Sequence, residues 1–144
     1  MTVPGSPDIL LVDDNPDDVE LTLRAFKRTR LANTFHVVRD GVEALDFFFV
    51  KPGTARTALP RLILLDLKLP RVSGLEVLAR IRENERTRKI PVVVVTSSRE
   101  EADIRRAYEL GVNSYIVKPV EFEEFVAALG EVGLYWLVLN QPPV

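Results

Sequence analysis

Four short apolar runs in this chain each end in a polar side chain. Asp13 and Asp14 follow the run at residues 9–12, and Asp66 follows the run at residues 62–65. Thr96 follows the run at residues 92–95, and Lys118 follows the run at residues 115–117. If each run is a buried strand of one parallel sheet, these side chains gather along a single sheet edge, because the carboxyl ends of parallel strands meet there. Helices cover both faces of such a sheet. The sequence therefore predicts that chemistry takes place at this edge.

The apolar runs alternate with segments of helical period, which favours an open parallel α/β sheet over a sandwich or a helical bundle. The second strand is shorter and more polar than the others, as expected of an edge strand. We predict five strands, at residues 8–13, 34–38, 61–66, 91–96 and 113–117.

Helix start and stop signals fill the intervals between the predicted strands. Asn15 followed by Pro16 is typical of a helix start, and Asp17 and Asp18 suit the positive end of that helix dipole. A second helix is expected over residues 41–50, and a fifth from residue 121 onwards. Two capping boxes, Ser73 with Glu76 and Ser98 with Glu101, predict the starts of helices three and four, and Gly111 predicts the end of helix four.

Length and composition limit the classes of function. At 144 residues, the chain is interpreted as one domain, residues 1–144. It has no cysteine and a single histidine, which excludes disulfides, thiol nucleophiles and histidine-rich metal sites. A net charge of −2 with scattered basic residues argues against direct nucleic acid binding. No run approaches the roughly 20 apolar residues of a membrane span, so a cytoplasmic protein is expected.

The acidic residues at the sheet edge predict a cation site. Three carboxylates repel one another unless a cation lies between them, and oxygen ligands alone favour a hard divalent ion, Mg²⁺ above others. Thr96 and Lys118 would complete a receptor for a tetrahedral anion. Taken separately, Asp13 and Asp14 also fit a helix-capping loop and Asp66 fits a solvated turn.

The order of these residues resembles the receiver domain of two-component response regulators. The resemblance covers residues 8–130 and rests on Asp13-Asp14, on Asp66 within the segment 64–74, on Thr96-Ser97 and on Lys118-Pro119. It implies a flavodoxin-like doubly wound sheet with strand order 2-1-3-4-5.

The same resemblance implies the role of each site residue. Asp66 would be the phosphoacceptor, and Thr96 and Lys118 would contact the phosphoryl group. Asp14, Asp66 and the backbone carbonyl of Lys68 would ligate Mg²⁺, with Asp13 acting through a water. Thr96 and Tyr115 would form the conformational switch. A cis peptide between Lys118 and Pro119 is also implied.

The carboxyl-terminal segment and the long loop of residues 51–60 resemble stand-alone receivers that pair with phytochrome-type histidine kinases. This implies a sensor histidine kinase as the partner and a homodimer through the fourth and fifth helices, the fifth strand and the apolar extension, residues 131–144. We expect this dimer before phosphorylation, because the extension is permanently apolar. Its expected interface residues are Tyr135, Trp136, Leu137 and Leu139.

Two other functions are compatible with an α/β chain of this kind. A Mg²⁺-dependent phosphohydrolase with an aspartyl-phosphate intermediate would carry a second aspartate two residues after its nucleophile, where this chain has Lys68. A flavodoxin-like cofactor carrier would have to place a flavin phosphate beside Asp13 and Asp14, which repel it. A phosphoacceptor signalling protein, without enzymatic turnover of its own, is therefore the expected function.

Overall fold

The computed structural model describes residues 7–30, 34–49, 59–118 and 121–140. Strands and helices alternate along the chain, and a π-helix follows the last α-helix. The elements are β1 (Ile9–Val12), α1 (Pro16–Thr29), β2 (Phe35–Val38), α2 (Gly41–Phe48), β3 (Leu62–Leu65), α3 (Gly74–Glu83), β4 (Val92–Thr96), α4 (Glu101–Glu109), β5 (Ser114–Val117), α5 (Phe122–Gly133) and the π-helix (Leu134–Leu139).

The five strands form one parallel sheet in the order β2-β1-β3-β4-β5, which confirms the predicted topology. Val12 and Leu65, the last residues of β1 and β3, pair with each other, and Leu65 pairs with Val94 of β4, which continues two residues further to Thr96. The residues that follow these strands therefore emerge at the same edge of the sheet. Each observed strand is one or two residues shorter than predicted.

The strand side chains point alternately to two hydrophobic cores. One core contains Leu10, Ile63 and every second residue along their strands, and it packs against α2, α3 and α4. The other core contains Ile9, Leu62 and every second residue along the same strands, and it packs against α1 and α5. Because β1, β3 and β4 are covered on both faces, all their residues are buried, and this explains the uninterrupted apolar runs in the sequence. Strand β2 lies at the edge and is only partly buried.

Side chains cap four of the predicted helix starts, including that of α5, where the Glu121 side chain accepts a hydrogen bond from the N–H of Glu123. The Asn15 side chain accepts hydrogen bonds from the backbone N–H groups of Asp17 and Asp18 at the start of α1. The Ser73 hydroxyl accepts one from the N–H of Glu76 at the start of α3, as predicted. Helix α2 is capped by Asp40, which accepts from the N–H of Glu43.

The predicted capping box of helix α4 is wrong. The helix begins at Glu101 after Glu100, and no side-chain hydrogen bond caps it. Ser98 lies two residues before the cap position, and its hydroxyl donates instead to the Oδ2 of Asp103 at 2.5 Å. The end of α4 agrees with the prediction, since Gly111 has a φ of 87°, a left-handed conformation that glycine adopts without strain.

The carboxyl-terminal segment packs against its own domain more than the sequence indicated. Leu137 is only 3% exposed and lies in the core shared with α1 and α5, and Trp136 is half-buried against the same core. The Arg61 guanidinium donates a hydrogen bond to the carbonyl oxygen of Leu137. The expectation that Leu137 belongs to a dimer interface is therefore corrected: α5 alone does not complete the core, and Leu137 fills the remaining space.

The exposed face of the π-helix carries the other apolar side chains of this segment. Leu134, Tyr135, Val138 and Leu139 are between 44% and 60% exposed. No helix in the described ranges is long and apolar enough to cross a membrane. Most of the 51–60 loop and the peptide bond between Lys118 and Pro119 lie outside the described residues.

Gly74 allows helix α3 to begin against the backbone that follows β3. A Cβ atom at this position would lie 2.2 Å from the carbonyl oxygen of Asp66 and 2.6 Å from the Cα of Leu67. Both are backbone atoms, which move only with the strand itself. We predict that Gly74→Ala lowers the free energy of unfolding by about 2–3 kcal/mol, measured by urea denaturation.

Gly130→Ala is the matched control for this substitution. Its Cβ would meet only the Thr29 methyl group at 3.4 Å, which is ordinary contact, and alanine favours the helix. The control should be neutral or slightly stabilising. Equal stability of the Gly74→Ala protein and wild type would contradict the close packing described here.

Candidate functional site

Three carboxylates meet at the carboxyl edge of the sheet. Asp13 and Asp14 follow β1, and Asp66 follows β3, its neighbour in the sheet. One carboxylate oxygen from each residue lies within 4.8 Å of the others. Asp13 and Asp66 are buried, whereas Asp14 is exposed. The predicted acidic edge is therefore present, with an opening to solvent beside Asp14.

The loops after β1 and β3 orient their own aspartates. The Oδ1 atom of Asp13 accepts a hydrogen bond from the N–H of Asn15 at 3.0 Å. In the same way, the Oδ1 atom of Asp66 accepts from the N–H of Lys68 at 3.0 Å. Such bonds between a side chain and the backbone two residues later are typical of aspartate in tight turns. The backbone of its own loop thus fixes the Oδ1 atom of each carboxylate, and leaves the Oδ2 atom free to contact residues of other elements.

The Lys118 ammonium links the acidic residues. Its Nζ atom lies 3.0 Å from the Oδ2 of Asp13, 3.2 Å from the Oδ2 of Asp66 and 2.8 Å from the Oδ2 of Asp18. The lysine side chain is only 11% exposed. Its backbone N–H donates to the carbonyl oxygen of Thr96 at 2.7 Å, which places it at the end of β5 beside β4.

Burial and charge act in opposite directions on these groups. Burial raises the pKa of Asp13, and the N–H of Asn15 and the charge of Lys118 offset this only in part. Burial alone would lower the pKa of Lys118, but the hydrogen bond to Asp18 and the charges of Asp13 and Asp66 outweigh it and raise the pKa above its usual range. Lys118 is therefore charged at neutral pH.

The donor atoms fit a divalent cation. Asp13, Asp14 and Asp66 supply oxygen ligands only, which are the ligands that hard cations such as Mg²⁺ and Mn²⁺ take. One ammonium cannot balance the charge of three carboxylates. Burial also raises the pKa of Asp13, because a buried carboxylate is poorly solvated in its charged form. The site therefore has the composition and the charge deficit of a divalent metal site.

Thr96 and Tyr115 both contact the loop that leads from β4 to α4. Thr96 is fully buried at the end of β4, and its hydroxyl oxygen accepts a hydrogen bond from the N–H of Ser98 at 3.4 Å. The Tyr115 hydroxyl, on β5, donates to the carbonyl oxygen of Ser98 at 3.0 Å. Burial raises the pKa of Tyr115. Ser98 thus lies between the two predicted switch residues.

The structure adds residues that the sequence analysis assigned to other roles. Asp18 was explained by the helix dipole, and Ser98 by a helix cap, yet Asp18 contacts Lys118 and Ser98 contacts Tyr115. The position of Asp18 in the first turn of a helix that starts at the acidic edge is the sequence signal for its role. Lys68 contributes its backbone N–H to Asp66, and its side chain is exposed.

A family model describing the response regulator receiver domain matches residues 9–130 of this chain. The chain belongs to the response regulator receiver domain family. The sheet order, the acidic edge and the lysine after β5 all agree with this membership. It confirms the family resemblance, and it favours a signalling receiver over the phosphohydrolase and the flavin carrier.

The chain is similar to proteins from several signalling systems. It is 47% identical to a probable methanogenesis regulatory protein, FilR2, of Methanothrix harundinacea (strain 6Ac), over 94% of this chain and 86% of that protein. It is 52% identical to the bacteriophytochrome response regulator RtBRR, with a TM-score of 0.71 over 96% of this chain and 84% of that one. This receiver is therefore homologous to phytochrome response regulators.

Two further solved structures show states of cyanobacterial relatives. The phosphorylated cyanobacterial phytochrome response regulator RcpA is 35% identical, with a TM-score of 0.86 over 97% of this chain and 100% of that one. The Mn²⁺-bound form of response regulator Rcp1 is also 35% identical, with a TM-score of 0.81 over 96% and 99%. Phosphorylation and divalent metal binding thus occur in proteins with this fold and substantial sequence identity.

Lys118 stabilises the folded protein by compensating the buried carboxylates. Without divalent ions at neutral pH, we predict that Lys118→Met lowers the free energy of unfolding by about 3 kcal/mol, because Asp13 and Asp66 lose their counter-charge. The difference from wild type should shrink as the pH falls through the carboxyl pKa range, since protonated carboxyls do not repel one another. Urea denaturation at several pH values measures both effects.

Lys68→Met is the control for removing a lysine close to the site. Its side chain is exposed, so the free energy of unfolding should change by no more than about 0.5 kcal/mol. A similar loss of unfolding free energy in both variants would show that the contacts of Lys118 with the carboxylates do not stabilise the fold specifically. A Lys118→Met protein as stable as wild type would lead to the same conclusion.

Proposed function

We propose that this receiver accepts a phosphoryl group on Asp66 from a sensor histidine kinase. The observation that carries the proposal is the position of Asp66, which is buried beside two further carboxylates and has its Oδ2 atom 3.2 Å from the Lys118 ammonium. A carboxylate held next to a metal site and a fixed ammonium matches the needs of phosphoryl transfer, in which the protein mainly positions the groups and neutralises charge.

The transfer exchanges one phosphorus bond for another. A carboxylate oxygen of Asp66 forms a bond to the phosphorus of the kinase phosphohistidine, and the phosphorus–nitrogen bond breaks with its electron pair remaining on the imidazole. The product is an acyl phosphate on Asp66. Lys118 faces the Oδ2 side of Asp66, from which it can donate a hydrogen bond to the negatively charged phosphoryl group, while the N–H of Lys68 orients the Oδ1 side.

Mg²⁺ is the proposed metal, and Asp13, Asp14 and Asp66 are the side chains proposed to hold it, with the backbone carbonyl of Lys68. Bound there, it would neutralise negative charge on the transferring phosphoryl group. Asp14 is exposed, which fits a metal that keeps some of its waters, and Asp13 is proposed to act through one of them.

Thr96 and Tyr115 are proposed to carry the signal away from Asp66. The Thr96 hydroxyl lies at the end of β4 and would donate to a phosphoryl oxygen, which changes its contact with the N–H of Ser98. The Tyr115 hydroxyl is bonded to the carbonyl of the same residue. A shift of Ser98 would therefore reach Tyr115 and the start of α4.

The proposed partner is a phytochrome-type histidine kinase, supported by the similarity to bacteriophytochrome and cyanobacterial phytochrome response regulators. We propose that the chain acts as a stand-alone receiver in the cytoplasm, where such a kinase would phosphorylate it, without direct nucleic acid binding or enzymatic turnover of its own. The similarity to the methanogenesis regulator FilR2 supports a second candidate, a kinase that responds to another signal.

A homodimer through the carboxyl-terminal segment is also proposed. The exposed face of the π-helix presents Tyr135 and Leu139 together with Leu134 and Val138, and four large apolar side chains on one short helix are typical of an interface. Trp136 lies half-buried between this face and the core. Because these side chains are exposed without phosphorylation, the dimer is proposed to exist before it.

Phosphorylation of Asp66 is tested by the intact mass of the protein. After incubation with Mg²⁺ and acetyl phosphate, wild type should gain the mass of one phosphoryl group, and the Asp66→Asn protein should gain none. The added group should be lost under alkaline conditions, as expected of an acyl phosphate. Omitting Mg²⁺, or replacing Asp14 with asparagine, should strongly reduce labelling.

Asp46→Asn is the control for the loss of one carboxylate, because Asp46 is an exposed residue of α2. This variant should label like wild type. Labelling of the Asp66→Asn protein, or no labelling of wild type by acetyl phosphate or by a phytochrome-type kinase, would overturn the proposed function.

The dimer is tested by light scattering at micromolar protein concentration. Wild type should have the mass of two chains with and without acetyl phosphate, and Leu139→Asp should shift it to one chain, because an aspartate cannot be buried in an apolar contact without a partner. Lys89→Asp places an aspartate in the exposed turn after α3 and should leave the dimer intact. A monomeric wild type in both conditions would contradict the proposal.

A further inference from the structure

One contact of Lys118 is not used by the phosphoacceptor site described above. Asp18 lies in the first turn of α1, and its Oδ2 atom is 2.8 Å from the Lys118 Nζ atom. The two other partners, Asp13 and Asp66, are at 3.0 Å and 3.2 Å. The shortest of the three contacts thus involves the carboxylate that lies outside the acidic cluster of Asp13, Asp14 and Asp66.

The three carboxylates use all the hydrogen-bonding capacity of the ammonium. A lysine ammonium has three N–H donors and no acceptor. In this structure one carboxylate oxygen is available for each donor, from β1, from β3 and from α1. The direction of the donor that faces Asp66 is therefore set by the other two contacts.

A bound divalent cation would affect these contacts unequally. Asp13 and Asp66 belong to the group of carboxylates that can hold the metal, and their charge would then be shared with it. The metal would also repel the ammonium. Asp18 is the only one of the three partners outside that group, so its full charge stays available to Lys118.

The position of Asp18 is set by the helix and not by the lysine. Its backbone N–H donates to the Asn15 side chain, and its carbonyl oxygen accepts from the Thr22 hydroxyl. Pro16 in the first turn further restricts the backbone. The carboxylate is therefore presented to Lys118 by a preformed helix start, and its side chain is 32% exposed.

We propose that Asp18 is a positioning residue, which holds the Lys118 ammonium in place when a divalent cation occupies the acidic cluster and so keeps one N–H directed at the phosphoryl group on Asp66. This inference rests on the proposed function of Asp66. It assigns a part in the reaction to α1, which begins after Asp13 and Asp14 and contributes no residue to the acidic group.

Asp17 offers a matched control for charge and helix position. It is the neighbouring acidic residue in the first turn of α1, it is exposed, and it is not among the three partners of Lys118. Asp17→Asn and Asp18→Asn remove the same charge from the same helix end. Both keep the cap of α1, which uses backbone N–H groups.

The first measurement is the initial rate of labelling by acetyl phosphate at saturating Mg²⁺, followed by intact mass. Asp18→Asn should label roughly tenfold more slowly than Asp17→Asn, which is the effect expected from losing one charge-assisted hydrogen bond. Asp18→Glu, which keeps the carboxylate, should label faster than Asp18→Asn. Equal rates for the two asparagine variants, or faster labelling of Asp18→Asn, would overturn the inference.

The second measurement observes the lysine directly and does not require phosphorylation. In Mg²⁺-saturated protein labelled with ¹⁵N, the Lys118 ammonium should give a slowly exchanging signal in wild type and in Asp17→Asn, identified by its absence in Lys118→Arg. The signal should be lost in Asp18→Asn, and its persistence there would overturn the inference. If wild type fails to label at all, the proposed function fails, and the ammonium signal still decides whether Asp18 holds Lys118.

Discussion

The contact of one lysine ammonium with several carboxylates is the interaction on which the site depends. Asp13 and Asp66 are buried at adjacent strand ends, where their charges repel each other and are poorly solvated. Lys118 reaches both from β5 and compensates part of this cost. The compensation is incomplete, because one ammonium faces a group of three carboxylates that includes Asp14, and this leaves the negative charge that a divalent metal requires.

The sheet makes this arrangement possible because its neighbouring strands β1 and β3 end in register. Val12 pairs with Leu65, so the loops that carry Asp13 and Asp66 begin at the same level, and β4 and β5 end together where Thr96 pairs with Val117. Gly74 allows the start of α3 to pack directly against the backbone of Asp66 and Leu67. The hydrophobic cores on both faces hold the strands at fixed positions, and the reactive groups occupy only their ends.

Two routes lead from this site to other parts of the domain. Thr96 and Tyr115 both contact Ser98, whose hydroxyl also bonds to Asp103 on α4, so this loop connects the site with α4 and β5. Asp18 connects the same lysine with α1. The π-helix is further away in the chain, but its Leu137 completes the core beneath α1 and α5 while its apolar outer face stays exposed.

The sequence by itself determined the two-sided burial of the central strands and the acidic edge, whereas the strand order was implied by the resemblance to receiver domains. Residue type and position along a strand suffice for these features, because the period of a strand and the parallel order of its neighbours fix where its end lies. It also located Lys118 and Thr96 at that edge. Helix starts were predicted where a side chain bonds to nearby backbone, as at Ser73, since such bonds depend on local sequence alone.

Only the tertiary structure decided which side chains meet across distant elements. Asp18 looks like a helix-end acid until the fold places it 2.8 Å from Lys118, a residue 100 positions later. Leu137 resembles an exposed interface residue until the space left beside α5 is known. Ser98 matches a capping pattern, yet the helix begins later and its hydroxyl bonds to Asp103. In each case the partner comes from another element or an adjoining turn, and its distance depends on the packing of the whole domain.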